Sequence, residues 1–229
     1  MKIQTIIYIS AALLITDVVS GQVITSPNYG LKTPETMEVK KIEAGDSETV
    51  VYLSVVNQIK GGSFCADKNI VLTCSDGTKL KLLSAEGIPV CPEQYKFRFT
   101  GEKLDFVLRF PALKPGTEWI DIVEMCDNYC FSIYGITLNS ILNARIDNIF
   151  GRIGKEAPSV IIPELVSLLN EIDNQNLGIE GLLYLTIIKL SKESGNESGA
   201  AEWYRKFKSS GSPSLAYYLQ NLGSLGIRY

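Results

Sequence analysis

Two cysteines four positions apart, Cys126 and Cys130, are the residues whose type and spacing point most directly to chemistry. They flank Asp127, Asn128 and Tyr129, all turn-prone, and an alternating apolar run over residues 131–138 follows. Three chemistries suit such a pair. A redox dithiol usually has two intervening residues and a following helix that lowers the thiol pKa inside a βαβ unit, and this segment has none of these. A thiolate zinc site needs four ligands, and the remaining cysteines, Cys65, Cys74 and Cys91, are scattered. A disulfide needs only a turn. If residues 119–125 and 131–138 pair antiparallel, the two cysteines face each other across the last rung, with Cα atoms about 4.5–5.5 Å apart. On one continuous strand they would stand about 13 Å apart. The spacing favours a staple on a hairpin; free thiols and a redox or metal role stay open. Cys65, Cys74 and Cys91 cannot all pair among themselves, and their connectivity does not follow from sequence.

The chain has no histidine. That removes Ser-His-Asp and Cys-His catalysis, His-ligated metals and histidine pH switching. Carboxylates, Lys, Tyr and Cys remain, but no pattern marks any of them as catalytic. Asp121 and Glu124 are three apart on a strand, so they point to opposite faces and do not form an acid–base pair. Residues 76–79 and 171–176 lack the alternating oxygen ligands of a calcium loop. Gly61-Gly62 lacks the strand-to-helix setting of a phosphate loop. The expectation is a non-enzymatic protein with no catalytic residue, no metal and no cofactor.

Lys and Arg number 22 and Asp and Glu 25, a net charge of −3, and there is no basic run. Such a chain has no electrostatic footprint for nucleic acid. At the start, Lys2 precedes an apolar stretch over residues 3–16, and Val19-Ser20-Gly21 puts small or modest side chains before Gln22. This is the layout of a signal peptide over residues 1–21, cleaved after Gly21. Asp17 ends the apolar run short of the roughly 20 residues that a membrane-spanning helix needs. No second stretch is long enough, so no transmembrane segment is expected after cleavage. The reading is an exported protein, periplasmic or secreted, in a compartment where disulfides persist.

The elements that must position these residues fall into two halves. Over residues 22–138 the pattern has a period of two. Residues 49–56 are rich in β-branched side chains. Asp76-Gly77 marks a hairpin turn. Residues 95–100 and 104–110 alternate aromatic or aliphatic with polar side chains and read as another hairpin, and residues 119–125 and 131–138 as a third. The count is about eight strands, and the expected fold is an antiparallel β-sandwich. From Asn139 the period becomes helical: Ile141, Leu142, Ile146, Ile149, Phe150 and Ile153 share a face. Pro158 and Pro163 are expected to bracket a break, with a helix starting at Pro163. Residues 179–194 form a strongly apolar helix, and two short helices finish a helical region over residues 139–229. Leu182, Leu183, Leu185 and Ile188 are expected at the centre of its packing, docked on the sandwich through an apolar seam.

Residues 104–138, "LDFVLRFPALKPGTEWIDIVEMCDNYCFSIYGITL", resemble the end of a β-sandwich module of exported bacterial proteins, which in several cases precedes a thioredoxin-like domain. The shared features are Phe110-Pro111, the Lys114-Pro115-Gly116-Thr117 turn, the strand from Ile120 to Glu124, and the closing Ile133-Tyr134-Gly135-Ile136. The resemblance implies the fold and no activity, and this chain has neither a thioredoxin-like domain nor Trp-Cys-x-x-Cys. Residues 199–223 are similar to one Sel-one-like helical repeat, a relative of tetratricopeptide repeats, through Ala200, Ala201, Trp203, Tyr204, Gly211, Ala216 and Leu219. Such repeats bind proteins, which makes Trp203, Tyr204, Tyr217 and Tyr218 candidate protein-binding residues for a partner of unknown identity. The competing expectation is that these aromatics pack the helices together or onto the sandwich. Together these readings give a binding or assembly protein of the bacterial cell envelope, with an accessory role in periplasmic thiol–disulfide exchange as the alternative. A carbohydrate-binding sandwich is a third reading, and it requires exposed aromatics on one sheet face.

Overall fold

A computed structural model describes residues 21–126, 130–172 and 175–229. The expected signal peptide lies outside these residues, apart from Gly21, and so do Asp127, Asn128 and Tyr129.

The first sheet is built on the two longest strands, β4 (Glu48–Val56) and β10 (Lys103–Pro111), paired antiparallel along their full length. Beside β4 lie β3 (Glu38–Ala44) and then β1 (Gln22–Thr25); beside β10 lies β8 (Ser84–Glu86). The second sheet runs β2 (Leu31–Thr33), β12 (Ser132–Thr137), β11 (Trp119–Glu124), β6 (Ile70–Cys74) and β7 (Lys79–Lys81). A third, two-stranded sheet joins β5 (Ser63–Phe64) to β9 (Tyr95–Lys96). All these pairings are antiparallel. Leu104, Phe106, Leu108 and Phe110 of β10 alternate into one core, where they meet Ile70 and Leu72 of β6, Ile120 and Ile122 of β11 and Ile133 of β12. Burial of each such side chain is worth about 1.5–3 kcal/mol. Two sheets sharing one core give a layered, sandwich-like arrangement, and the described residues contain twelve strands where about eight were expected.

The hairpins at Asp76-Gly77 and across Cys126 and Cys130 are present as β6–β7 and β11–β12. The hairpin expected over residues 95–110 is not. Tyr95 and Lys96 pair with Phe64 and Ser63, while β10 takes β4 and β8 as neighbours. The cause is side-chain chemistry between the two segments. Glu102 accepts hydrogen bonds from Arg98 N, Arg98 Nε and Tyr95 Oη, and Gly101 turns at φ +94°. These bonds close residues 95–102 into a tight loop, so an alternating pattern that suits a strand is overridden by its surroundings.

Five helices follow: α1 (Ser140–Phe150), α2 (Pro158–Ile172), α3 (Glu180–Glu193), α4 (Glu197–Ser209) and α5 (Leu215–Ser224). Asn139 and Asn196 cap α1 and α4 by accepting from Leu142 N and Gly199 N. The break expected between Pro158 and Pro163 is absent, and α2 starts at Pro158 and continues through Pro163. Pro158 needs no N–H partner at the first position, and Pro163 forfeits a single backbone bond early in the helix while Ile161, Leu165, Leu168 and Leu169 bury one face. Helix α3 is the hub. Its Leu183 and Ile187 pack with α1 and α2, and its Leu185 and Ile188 pack with Tyr204, Phe207, Tyr218 and Leu222 of α4 and α5. Leu182 is only partly buried.

The helices lie on the outer face of the second sheet. Trp119 Nε1 donates to Asn176 O at 2.8 Å, and the Trp119 ring lies against Gly178. Tyr134 stacks on Tyr217 with centroids 4.6 Å apart. Asn28 N donates to Asn143 Oδ1 at 2.6 Å. The seam joins the expected apolar packing, in which Leu31 of β2 meets the cluster of α3, α4 and α5, to aromatic and polar contacts, because β11 and β12 turn Trp119, Asp121 and Tyr134 outward in alternation with core isoleucines. Among the described residues no helix is long and apolar enough to cross a membrane.

Candidate functional site

One end of the two-sheet layer gathers the chemistry. The loops after β4 and before β10 meet there through Asn57. Its Nδ2 donates to Ile59 O at 2.8 Å and to Phe99 O at 2.9 Å, and its backbone N–H donates to Glu102 O at 2.9 Å. One buried amide thus holds two loop tips side by side, and both tips carry large apolar side chains in solvent: Ile59 is 67% and Phe99 57% exposed. Lys60 and Arg98 flank them in sequence. Glu102 is buried beneath. Burial opposes its ionisation, but hydrogen bonds from Arg98 and Tyr95 outweigh it and hold the carboxyl at about 2.

Two disulfides brace the same end. Cys65 and Cys91 are bonded with Cα atoms 5.3 Å apart, and Cys126 and Cys130 with Cα atoms 5.6 Å apart. Cys74 is a free thiol buried in the core, where burial pushes its pKa up. The two bridges communicate through Glu124, the last residue of β11. Its Oε1 accepts from Asp67 N at 2.6 Å, two residues after Cys65, and its Oε2 accepts from Phe131 N at 3.0 Å, next to Cys130. Cys126 Sγ lies 3.9 Å from the same Oε2. The carboxylate is buried, and that burial raises its pKa. Phe64, Phe106 and Phe131 pack beneath, with centroids 6.0–6.5 Å apart.

No family model, curated protein or solved structure matches this chain.

The expected aromatic site on the helices is dispersed. Tyr218 is 1% exposed and Tyr204 is buried edge-on against Tyr229, so both serve as packing. Tyr217 is half exposed but stacked on Tyr134, and Trp203 is partly buried beneath Lys206 Nζ, 4.3 Å from its ring centroid. Asp121 and Glu124 do point to opposite faces, Asp121 to the helices and Glu124 to the core side. Burial pushes the Asp121 carboxyl up to about 6, against hydrogen bonds from Gly135 N–H and the Ser214 side chain. Among the described residues no group of three or more His, Cys, Asp and Glu is placed to hold a metal ion. Glu124 was legible in sequence as a carboxylate in phase with the core-facing Ile120 and Ile122. Asn57 and Glu102 were not, because their roles depend on two loops meeting in space, Asn57 bonding Phe99 across a sequence separation of 42.

Proposed function

We propose that this is an exported, non-enzymatic β-sandwich protein of the bacterial cell envelope that binds or assembles through its disulfide-braced loop end. The helical region, whose residues 199–223 resemble one Sel-one-like repeat, buttresses the outer face of the second sheet. The observation that carries the reading is the Asn57 clasp, which presents Ile59 and Phe99 together. Large apolar side chains on loops that are already ordered bind at low entropic cost, and central apolar anchors supply most of an interface's energy. The test is the pair of substitutions Ile59→Asp and Phe99→Asp in exported protein. Both side chains are solvent-exposed, so the melting temperature should stay the same while association with the envelope fraction, read by co-sedimentation and cross-linking, is lost. Unchanged association would refute the reading.

A second reading, an accessory role in thiol–disulfide exchange, is favoured by one observation: the Cys126–Cys130 bond stands beside a buried carboxylate.

A further inference from the structure

We propose that Cys126, Cys130 and Glu124 form a dithiol–disulfide exchange site in which Glu124 is the proton donor and acceptor for Cys126. This rests on the second reading above and assigns its residues. Three features of the fold converge on it. The bridge is half-buried, at the end of a hairpin, and its neighbour Met125 is 61% exposed. Glu124 sits on a rigid strand in a core-facing register, and two backbone N–H groups fix its carboxylate with Oε2 3.9 Å from Cys126 Sγ. Those two donors supply less than a carboxylate's full hydrogen-bonding capacity, and the side facing the sulfur is where a thiol proton would go.

The chemistry is a two-electron exchange with a small or protein-borne dithiol. One thiol of the reductant loses its proton to solvent, and the thiolate attacks Cys130 Sγ. The Cys126–Cys130 bond breaks, and a mixed disulfide to Cys130 forms. Cys126 Sγ leaves with the electron pair and takes the proton of the Glu124 carboxylic acid, which solvent then replaces. The second thiolate of the reductant attacks its own bridged sulfur and expels Cys130 as a thiolate, which solvent protonates. The reductant ends as a disulfide and the protein as a dithiol. In reverse, the Glu124 carboxylate takes the Cys126 proton and so generates the attacking thiolate. A carboxyl group with an elevated pKa suits both directions, since it exchanges protons nearer neutrality than an exposed one.

The test uses the full exported chain and dithiothreitol as the dithiol. The rate of opening of Cys126–Cys130 is followed by quenched alkylation and peptide mapping from pH 5 to 9, with Cys65–Cys91 as the internal control. Wild type should open this bridge first, with an inflection above the ordinary carboxylate range. Glu124→Gln should lower the rate by about 10²-fold, the low end for a positioned general acid or base, and erase that inflection. Glu124→Asp should restore part of it. Equal rates and profiles in wild type and Glu124→Gln would overturn the role of Glu124 while leaving the exchange reading standing. A bridge that dithiothreitol does not open in folded protein would overturn both. If Glu124→Gln fails to fold, the wild-type profile decides alone: a single inflection in the ordinary thiol range overturns the proposal.

Discussion

The hydroxyl of Tyr218 rests against Gly30 so closely that a Cβ on Gly30 would fall 1.5 Å from it. A Cβ on Gly181 would fall 2.3 Å from the ring, and one on Gly135 3.5 Å from the hydroxyl. One side chain from the last helix is thus plugged into a slot of three glycines, on β12, on α3 and just before β2. Gly135 also serves the sheet: at φ +66° it forms the bulge opposite Asp121, where pairing shifts between Ile120 and Ile122.

Gly30→Ala should therefore destabilise the protein by about 1–3 kcal/mol, the usual cost of overpacking. The Tyr218 hydroxyl has no hydrogen-bond partner among the described residues. Tyr218→Phe should be neutral or stabilising by up to about 1 kcal/mol, since it removes a desolvated polar group. In the double variant the phenylalanine should recover part of the alanine's cost. Urea denaturation of the four proteins checks this. Additive effects would mean that the two residues do not meet.

Asp121 gives the junction a pH dependence of definite sign. Its carboxyl is near 6 when folded against an ordinary 3.8. Between those values the native state binds more protons than the unfolded chain, so stability falls as pH rises. The contribution is complete below about pH 4 and lost above about pH 6, and a shift of about two units corresponds to at most about 3 kcal/mol. Asp121→Asn keeps an acceptor for Gly135 N–H. The difference in stability between wild type and Asp121→Asn should shift in the variant's favour from pH 4 to pH 7. A difference independent of pH would exclude the buried ionisation.

The two disulfides should differ in worth. Cys126–Cys130 spans a sequence separation of 4 and Cys65–Cys91 one of 26. Chain-entropy estimates give about 2 kcal/mol for the short loop and about 3.5 kcal/mol for the long one. Paired alanine substitutions at each bridge, compared by urea midpoint, should show the larger loss at Cys65 and Cys91. Cys74, buried and with its thiol pKa raised, should resist iodoacetamide until the protein unfolds. The reverse order of losses would mean that strain or residual unfolded structure outweighs loop length.

Trp119 reports on the docking of the helices. It is 7% exposed, with its indole nitrogen bonded to Asn176 O and its ring against Gly178. Residues 22–138 contain a complete core of their own and should stay folded when expressed alone. In that fragment Trp119, its sole tryptophan, should emit at longer wavelength than it does in full-length Trp203→Phe protein. The fragment should also tend to self-associate through the uncovered sheet face. A blue, unchanged emission would mean that the helices do not cover Trp119.

Much of this architecture is written in local periodicity. Alternation over residues 104–110 and 119–137, Asp-Gly at a turn and apolar spacing from residue 141 onward are properties of short segments, and they required two layers: sheets, then helices. Two strand patterns that end and begin at Cys126 and Cys130 predicted a hairpin, and the antiparallel pairing of β11 with β12 brings the two cysteines within bonding distance. The absence of histidine closed whole classes of catalysis from the composition alone.

Only the tertiary structure decided the rest, because each remaining feature depends on segments far apart in sequence. Cys65 chose Cys91 over Cys74 because Cys74 occupies a core-facing place on β6. Residues 95–100 have a strand's pattern but are drawn into a loop by Glu102 and Asn57. Pro163 is carried inside α2 because the buried face around it outweighs one lost hydrogen bond. Tyr218 looks like its neighbour Tyr217 in sequence, yet one is exposed and the other plugs a glycine slot, since a helix's neighbours, not its own pattern, determine which aromatic meets an open surface. Periodicity is local and survives without a fold, whereas contacts between distant loops exist only once loop closure and core burial have brought them together.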